Sequence, residues 1–545
     1  MSADERKYIL HLKNLNISFG DKQVVRNASL KLERGEIFAL VGESGSGKTL
    51  LGRSLLGLLP PAATSAAENL ILEGEDLSNA PQSRWRGVRG SKVGLIFQEP
   101  MVSLNPSLTI GAQLAEAMKL HSKLTSPQIR EMACELLAKV HVPDPATALG
   151  RFPHQFSGGL RQRIMLASVL LPKPKLLIAD EPTTALDVIV QKQVLDVMAE
   201  LTRELGTTVL FITHDLGLVA KYANRMAVMR RGEILECGNV EGILAAPKHE
   251  YTRSLLSSVS APAEETTPKA VCPPLLRLSD IRVRYPSNGM SFLKRRASVE
   301  VLKGISLEIG KGETLAVVGE SGSGKSSLGR AILGLNPIST GTIRFDSLVL
   351  ESKTNRRMPS RIQAQMIFQD PYSSLNPRMR ALQAVCEGLL KDRSLSSAGR
   401  AERGMKALEE VGLKGYENRF PHQLSGGQRQ RLCIARALIV RPELLIADEP
   451  IAALDATIQS QILDLLSELK RAYEFTCIFI SHDLAAVRRI ADRVAVLCKG
   501  ELVECGLTEA LFANPRHDYT KKLLEARPIL LRDENGNFRL EGTRN

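Results

Sequence analysis

Aromatic residues and long apolar runs are scarce in this 545-residue sequence. Phe, Trp and Tyr make up 4% of the chain, and no cluster alternates basic with aromatic side chains. This composition disfavours a platform on which single-stranded nucleic acid bases stack. No apolar run reaches the roughly 18 residues of a membrane-spanning helix, and the N-terminus lacks the apolar core of a secretory signal. We therefore expect a cytoplasmic protein, or one bound peripherally to the cytoplasmic face of a membrane.

Paired cysteines are also missing. The eight cysteines contain no Cys-x-x-Cys pair, the spacing typical of thiolate metal sites and redox motifs. Cys237, Cys433 and Cys505 lie beside apolar residues. We therefore expect free, mostly buried thiols in a reducing compartment.

The sequence is rich in apolar residues and carries an excess of positive charge. Its apolar content of 43% is sufficient for sizeable cores, and its length exceeds that of a single domain of about 150 residues. The net charge of +13 fits nucleic acid, anionic lipid headgroups or simply a surplus of solvated Lys and Arg. Charge alone therefore does not identify a partner.

A glycine-rich loop occurs twice, each time between an apolar β-run and a Leu- and Ala-rich segment that can be helical. In this order, backbone N–H groups and a helix N-terminus surround phosphates, the Lys reaches the β and γ oxygens, and the hydroxyl residue holds Mg²⁺. The sequence therefore predicts two sites for nucleoside triphosphates. The loops consist of Gly42, Glu43, Ser44, Gly45, Ser46, Gly47, Lys48 and Thr49, and of Gly319, Glu320, Ser321, Gly322, Ser323, Gly324, Lys325 and Ser326.

Each half also contains an apolar run that ends in two acidic residues, Asp180-Glu181 and Asp448-Glu449. Such a run is typical of a buried parallel strand, and the acids then emerge at the carboxyl end, where α/β sheets bind ligands. We expect Asp180 and Asp448 to hold Mg²⁺, and Glu181 and Glu449 to polarise the attacking water. A solvated turn is the alternative for one Asp-Glu-Pro, but its repetition downstream of both loops disfavours that interpretation.

From Ser157 onward, the repeat continues through the chain at a constant spacing. Ser157 and Ser425 are separated by 268 residues, as are Asp180 and Asp448, whereas the loop lysines are separated by 277. Each serine opens a Ser-Gly-Gly segment followed by apolar residues at helical spacing. Ser-Gly-Gly at a helix N-terminus predicts a second phosphate cradle. The segments contain Ser157, Gly158, Gly159 and Leu160, and Ser425, Gly426, Gly427 and Gln428.

The second segment, Leu-Ser-Gly-Gly-Gln, resembles the signature of the ATP-binding cassette (ABC) family, and the first resembles a variant of it. The resemblance implies an α/β fold class with two tandem P-loop nucleotide-binding domains, each with a helical signature subdomain. It further implies that each signature completes the opposite site, Ser425 with the loop of Lys48 and Ser157 with that of Lys325. Both sites should hydrolyse ATP, although Leu160 leaves it open whether their rates are equal.

Other repeated residues acquire expected roles from the same resemblance. One pair resembles the glutamines that contact Mg²⁺ and the attacking water and lead toward the membrane partner, and another resembles the switch histidines at the γ-phosphate. A third pair resembles the aspartates that link the two sites, and two aromatic residues are candidates for stacking on adenine. A lone histidine is more often a satisfied polar residue, and Phe19 could equally belong to the core. These residues are Gln98 and Gln369, His214 and His482, Asp187 and Asp455, and Phe19 and Tyr285.

The expected domains are residues 1–256 and 275–529, joined by a linker over residues 257–274 and followed by a C-terminal tail over residues 530–545. The linker is rich in Ser, Ala, Pro and Thr. A flexible chain of that length reaches on the order of 20–25 Å.

Two further repeats narrow the branch of the family. Ser-Leu-Asn-Pro occurs at 103–106 and 374–377, and Pro-x-His-x-Tyr-Thr at 247–252 and 515–520. Both resemble ATP-binding subunits of importers for oligopeptides, dipeptides and nickel, fused here into one chain as in glutathione and microcin C uptake systems. A surface turn would explain a single Pro-x-His-x-Tyr-Thr, but not two in register.

The resemblance implies an ATP-hydrolysing, energy-coupling subunit of a complex that imports peptides or peptide-like solutes. Its expected partners are two membrane permease subunits and, through them, a periplasmic solute-binding protein, with no nucleic acid. Its expected location is the cytoplasmic face of the bacterial inner membrane. The alternative is a soluble tandem-cassette ATPase acting on ribosomes or DNA, but such proteins usually join their cassettes by a long charged helix, which the prolines of the linker prevent.

Overall fold

The computed structural model describes residues 7–97, 104–183, 187–259, 273–286, 298–346, 348–351, 364–390, 392, 394–452, 454–526, 530–532 and 538–540. The chain divides into two compact units. Unit 1 comprises the described residues of Met1–Ser260 and Ala526–Asn545, and unit 2 those of Ala261–Glu525. Both units combine mixed sheets with helices, so the predicted α/β class with a repeated architecture is confirmed.

Unit 1 begins with strands and continues with alternating helices and strands. Its strands are β1 (Tyr8–Phe19), β2 (Lys22–Glu33), β3 (Ile37–Val41), β4 (Ala63–Ala66), β5 (Asn69–Leu72), β6 (Glu75–Asp76), β7 (Val93–Ile96), β8 (Leu176–Asp180), β9 (Thr208–Ile212), β10 (Arg225–Arg230) and β11 (Glu233–Asn239). Its helices are α1 (Lys48–Ser54), α2 (Gln82–Val88), α3 (Ile110–His121), α4 (Ser126–Lys139), α5 (Pro145–Ala148), α6 (Gly158–Leu170), α7 (Val188–Leu205), α8 (Leu216–Tyr222), α9 (Val240–Ala245) and α10 (Glu250–Val259).

Two sheets organise unit 1. The first is antiparallel, with the order β2-β1-β5-β6 and with β4 also paired to β1. The second has the order β11-β10-β3-β9-β8-β7, and all its neighbours are parallel except β10 and β11. Strands β8 and β9 are buried along their whole length. A strand covered on both faces requires a continuous apolar sequence, which explains why these runs do not alternate with polar residues.

The second sheet separates two cores. Leu176 and Ile178 of β8 pack with β1, β2 and α1 in one core. Leu177 and Ala179 of the same strand pack with α3, α4, α6 and α7 in the other. Successive side chains of a strand point to opposite faces, so one strand contributes to both cores. Because β3, β8 and β9 run parallel to one another, their carboxyl ends lie at one edge of the sheet.

Unit 2 repeats this plan. Its strands are β12 (Pro274–Pro286), β13 (Ser298–Gly310), β14 (Thr314–Val318), β15 (Thr340–Phe345), β16 (Leu348–Glu351), β17 (Ala364–Ile367), β18 (Leu444–Asp448), β19 (Thr476–Ile480), β20 (Arg493–Cys498) and β21 (Glu501–Leu507). Its helices are α11 (Lys325–Ile332), α12 (Pro371–Ser374), α13 (Ala381–Cys386), α14 (Ser397–Glu410), α15 (Gly426–Leu438), α16 (Ala456–Tyr473), α17 (Leu484–Ile490), α18 (Thr508–Ala513) and α19 (Asp518–Ala526). The strand orders are β13-β12-β15-β16 and β17-β18-β19-β14-β20-β21.

The end of the chain belongs to unit 1. Strands β22 (Leu530–Arg532) and β23 (Phe538–Leu540) form an antiparallel hairpin, and β23 contacts α8 and α9. Leu530 and Phe538 are buried. The predicted tail over residues 530–545 therefore includes a packed hairpin. Most of the predicted linker, residues 260–272, lies outside the described residues, and its first three residues continue α10.

The described residues can be compared with what the composition predicts about membrane-spanning helices and cysteines. Within the described ranges, no helix is both long and apolar enough to cross a membrane. The described cysteines are free thiols, and Cys433 and Cys477 are buried. Cys237 and Cys505 are exposed, so the expectation of buried thiols is wrong for these two positions.

Candidate nucleotide sites

Each predicted phosphate loop connects a buried strand to a helix, β3 to α1 in unit 1 and β14 to α11 in unit 2. Gly42 has a φ of 153°, and a Cβ there would lie 2.0 Å from the backbone oxygen of Met229. Gly319 has a φ of 150°, with a Cβ 2.1 Å from the oxygen of Leu497. The neighbouring strands β10 and β20 thus approach the loops so closely that only glycine fits.

The loop lysines are buried and turned toward their own loops. Lys48 Nζ donates to the backbone oxygens of Gly42 and Glu43, each at 2.8 Å. Lys325 makes the same two bonds at the same distance, to Gly319 and Glu320. Carbonyl groups therefore hold each ammonium at the mouth of its loop, where a phosphate would meet it.

In each unit, the hydroxyl residue and the aspartate that are predicted to hold Mg²⁺ lie together. Thr49 Oγ1 donates to Asp180 Oδ1 at 3.2 Å, and Ser326 Oγ donates to Asp448 Oδ1 at 2.9 Å. Burial raises the pKa of both carboxyls. Asp448 Oδ2 is buried and has no hydrogen-bond partner among the described residues. A hydroxyl beside a carboxylate with a spare buried oxygen is a hard-oxygen donor set that suits Mg²⁺.

The next acidic residue in each unit faces a histidine. His214 Nδ1 lies 3.1 Å from Glu181 Oε1, and His482 Nδ1 lies 3.3 Å from Glu449 Oε1. Partial burial lowers the pKa of His214, but the hydrogen bond and charge of Glu181 outweigh this and raise it. Burial raises the pKa of Glu449, but the His482 contact, with smaller contributions from Lys325 and Gln369, lowers it below the usual range.

Both glutamates have strained backbones. Glu181 has a φ of 46° and Glu449 a φ of 48°, a left-handed conformation that ordinary residues rarely adopt. Their N–H groups donate to Ile212 and Ile480 at the ends of β9 and β19. Such strain concentrates at functional sites, where the surrounding structure imposes it. The turn directs each carboxylate toward its histidine, which the sequence pattern alone did not reveal.

Of the two predicted glutamines, one lies among the described residues. Gln369 Nε2 donates to Glu449 Oε2 at 2.7 Å, which brings it into the same cluster as His482. Gln98 lies outside the described residues. The cluster of loop, carboxylates, histidine and glutamine is thus assembled in unit 2.

The signature serines each cap a helix. Ser157 precedes α6 and Ser425 precedes α15. A Cβ on Gly159 would lie 2.4 Å from Val190 Cγ1, and one on Gly427 would lie 2.6 Å from Ile458 Cγ2. The glycines therefore permit the close packing of α6 on α7 and of α15 on α16. Gly158 and Gly426 are the first residues of the helices.

The two caps differ chemically. In unit 2, Gln428 Oε1 accepts from the N–H of Ser425 at 3.0 Å, while Gln428 Nε2 donates to the hydroxyl of Tyr416 at 3.2 Å. In unit 1 the corresponding residues are Leu160 and Ala148, which lie with the apolar core of the helices. Leu160 is therefore matched by a second apolar change, a compensation that sequence analysis missed because Ala148 lies outside the signature.

We expect Gln428→Leu to reduce the free energy of unfolding of unit 2 by about 1 kcal/mol, because the N–H of Ser425 and the hydroxyl of Tyr416 each lose a partner. Urea unfolding of the full chain measures this loss. Tyr416→Phe provides the control, since it should cost less in the Gln428→Leu background than in the wild-type chain. An unchanged unfolding midpoint for Gln428→Leu would contradict the capping role.

The remaining predicted residues occupy helix and strand ends. Asp187 and Asp455 are the N-caps of α7 and α16, and Asp455 accepts from the N–H of Ile458 at 3.1 Å. Phe19 ends β1 and is partly exposed. Tyr285 packs against the unit 2 core, and its hydroxyl accepts from Asn336 at 2.6 Å and lies 3.3 Å from Ser327 of α11. The adenine contacts of both aromatic residues stay predictions.

Comparisons with known proteins agree with this geometry. The ABC transporter family model matches residues 25–184 and 302–452, which contain both phosphate loops and both Asp-Glu pairs. The chain belongs to the ABC transporter family. A second model, the oligopeptide/dipeptide transporter C-terminal region, matches residues 235–285 and 503–543.

Known relatives span nearly the whole chain of this ABC protein. The peptidoglycan transport ATP-binding protein of Agrobacterium fabrum is 43% identical over 534 residues, covering 96% of this chain and 97% of the relative. The glutathione import ATP-binding protein of Escherichia coli K12 is 42% identical over 562 residues, covering 96% and 90%. Among solved structures, cbiO1 of Clostridium perfringens, part of an ABC transporter complex, is 31% identical with a TM-score of 0.39, covering 44% of this chain and 91% of that one.

The two family models and the two full-length relatives confirm the predicted family and the tandem arrangement of two ABC domains. The protein is therefore an ATP-binding ABC subunit, and subunits of this kind work with membrane permeases.

Proposed function

We propose that this chain is the ATPase that powers an importer of peptides or peptide-like solutes. The observation that carries the proposal is the oligopeptide/dipeptide transporter C-terminal region, which matches after both ABC domains. The name of the Escherichia coli relative supports it, because glutathione is a tripeptide.

The proposed chemistry is in-line hydrolysis of the γ-phosphate of ATP. Lys48 and Lys325 would bind the β and γ oxygens, with Mg²⁺ held by Thr49 and Asp180, by Ser326 and Asp448, and by Gln98 and Gln369. When bound, Mg²⁺ would neutralise charge that develops on the phosphate oxygens. Glu181 and Glu449 would polarise the attacking water, and His214 and His482 would hold these carboxylates in place while contacting the γ-phosphate.

The proposed partners are two permease subunits and, through them, a periplasmic solute-binding protein. The location that follows is the cytoplasmic face of the bacterial inner membrane, where the chain would be held peripherally. The pairing of Ser425 with the loop of Lys48, and of Ser157 with that of Lys325, stays a prediction of the family resemblance.

Stimulation of the ATPase tests this proposal. We expect permeases in lipid vesicles, with a peptide-loaded binding protein, to raise the hydrolysis rate several-fold, because contact with a permease favours the closed, catalytic arrangement. Ribosomes, RNA or DNA at physiological salt should leave the rate unchanged. The measurement is phosphate release at saturating Mg·ATP.

Vesicles with permeases but no binding protein provide the control for the solute signal. Saturable stimulation by ribosomes, with no recovery of the protein in the membrane fraction of cells, would overturn the importer proposal in favour of a role in translation.

A further inference from the structure

The Pro-x-His-x-Tyr-Thr segment is anchored to the last strand of each parallel sheet by a glutamate. In unit 2, Glu504 of β21 accepts from the backbone N–H groups of Arg516 at 2.9 Å and His517 at 3.0 Å. In unit 1, Glu236 of β11 accepts from Lys248 at 2.9 Å and His249 at 3.1 Å. A charged acceptor with two N–H donors holds a segment firmly. The segment is thus a built part of each unit.

The histidine then orients the tyrosine. His517 Nδ1 accepts from the N–H of Tyr519 at 3.1 Å, and His249 Nδ1 accepts from that of Tyr251 at 3.0 Å. The bond lies at the first turn of α19 and of α10, next to the backbone of each tyrosine.

In unit 2 the tyrosine reaches the phosphate loop. The Tyr519 hydroxyl accepts from the backbone N–H of Glu320 at 2.9 Å. The backbone oxygen of the same residue accepts from Lys325 Nζ at 2.8 Å. One loop residue is therefore held on both sides, by the tyrosine through its N–H and by the phosphate-binding lysine through its carbonyl.

The contacts of Tyr251 at the first phosphate loop differ in detail from those of Tyr519 at the second. Tyr251 also interacts with Glu43, through the backbone and the side chain of that residue, although its buried hydroxyl makes no hydrogen bond of good geometry among the described residues. The guanidinium of Arg230 instead covers its ring, 4.4 Å from the centroid. The position that corresponds to Arg230 in unit 2 is Cys498, which cannot make this contact. The tyrosine of the motif thus approaches the phosphate loop in both units, with a well-formed hydrogen bond in unit 2 and an additional ring contact in unit 1.

We propose that Tyr519 is a positioning residue for ATP binding at the second phosphate loop. Its hydroxyl holds the Glu320 peptide, which holds Lys325 at the mouth of the loop, and Glu504 and His517 hold Tyr519 in turn. This inference gives the oligopeptide-type C-terminal region a task inside the ATP site. It rests on the proposed role of the Lys325 loop in binding ATP.

The test measures ATP affinity at one loop at a time in the full chain. In a Lys48→Ala background, binding of a fluorescent ATP analogue with Mg²⁺ reports the Lys325 loop. We expect Tyr519→Phe to weaken this binding about fivefold, the effect of losing one backbone hydrogen bond that leaves an N–H unpaired. At saturating ATP in the otherwise wild-type chain, we expect the turnover rate to stay within about twofold, since the reacting groups are untouched.

Two matched variants separate positioning from general stability. Tyr473→Phe removes a hydroxyl bonded to Glu410, far from the loop, and should leave ATP affinity unchanged. Tyr251→Phe, tested in a Lys325→Ala background, should weaken ATP binding at the Lys48 loop less than Tyr519→Phe weakens it at the Lys325 loop, because the Tyr251 hydroxyl makes no well-formed hydrogen bond with its loop. If Tyr519→Phe does not fold, Glu504→Gln serves instead, and it should weaken ATP binding in the same direction by loosening the segment.

The outcomes distinguish this inference from the proposed function. If Lys325→Ala in the Lys48→Ala background leaves binding intact, the Lys325 loop is not an ATP site and the proposed function fails. If Lys325→Ala abolishes binding but Tyr519→Phe lowers only the melting temperature, with ATP affinity unchanged, then Tyr519 is a structural residue and the positioning role is overturned.

Discussion

The double variant Glu181→Gln with Glu449→Gln is expected to hydrolyse ATP at least about a hundredfold more slowly than the wild-type chain, while Mg·ATP binding is retained. Glutamine keeps the shape of the side chain but removes the charge that polarises the attacking water, a contribution of roughly 10²–10⁴ in rate. The metal ligands Asp180 and Asp448 are untouched. Steady-state phosphate release and equilibrium nucleotide binding measure the two effects separately.

A matched control is available in unit 2. Glu474 is also in the left-handed conformation, with a φ of 54°, but it is exposed at the end of α16. Glu474→Gln makes the same chemical change on the same kind of backbone and should leave the rate unchanged. If the double variant turned over ATP at a near wild-type rate, the assignment of Glu181 and Glu449 as the water-polarising carboxylates would be wrong.

Gly42→Ala should strongly weaken ATP binding at the first loop, and Gly319→Ala should do so at the second. A Cβ at Gly42 would stand 2.0 Å from the Met229 oxygen, so either β10 or the loop must move. The Met229 oxygen is a backbone atom, and the backbone fixes the position of a Cβ. Neither atom can therefore rotate away, as the end of a long side chain can. We expect at least a tenfold loss of ATP affinity at the altered loop, read by nucleotide binding with the other loop disabled through its lysine.

Gly74→Ala is the control for the conformational cost of replacing a glycine that has a positive φ. Gly74 has a φ of 80° but open space around its Cβ position. This variant pays only the cost of a left-handed alanine, about 1–2 kcal/mol, and should retain ATP affinity. Normal binding by Gly42→Ala would show that the loop tolerates displacement and that the close approach of β10 does not shape the site.

Much of the site could be predicted from local sequence. The phosphate loops and the Asp-Glu pairs lie at strand ends, because continuous apolar runs predict buried parallel strands and parallel strands end at one edge. The contacts of Lys48 with Gly42 and of Thr49 with Asp180 follow from that arrangement. Gln98 was predicted from the family resemblance, and its position lies outside the described residues.

Other features could not be predicted from the sequence, because a contact between distant residues is recognised only when both of its residues are known. Leu160 looks like a weakened signature in isolation, but Ala148 replaces the hydroxyl partner as well, and both residues lie with the apolar core of the helices. The hairpin of β22 and β23 was predicted as a tail, since short apolar runs at a chain end carry no sign of what they cover.

The sequence by itself therefore determined the family, the duplicated α/β plan, the predicted phosphate loops and the residue types available for catalysis. Only the tertiary structure decided which carboxylate faces which histidine, that β22 and β23 belong to unit 1, that the Tyr519 hydroxyl accepts from the second loop, and that the Tyr251 ring lies against Arg230. The physical reason is how far apart in the sequence the residues lie that form each feature. Strands, loops and helix caps are specified by neighbouring residues, whereas the bond between Tyr519 and Glu320 joins groups 199 residues apart and exists only once the sheet has placed β20 and β21 beyond β14.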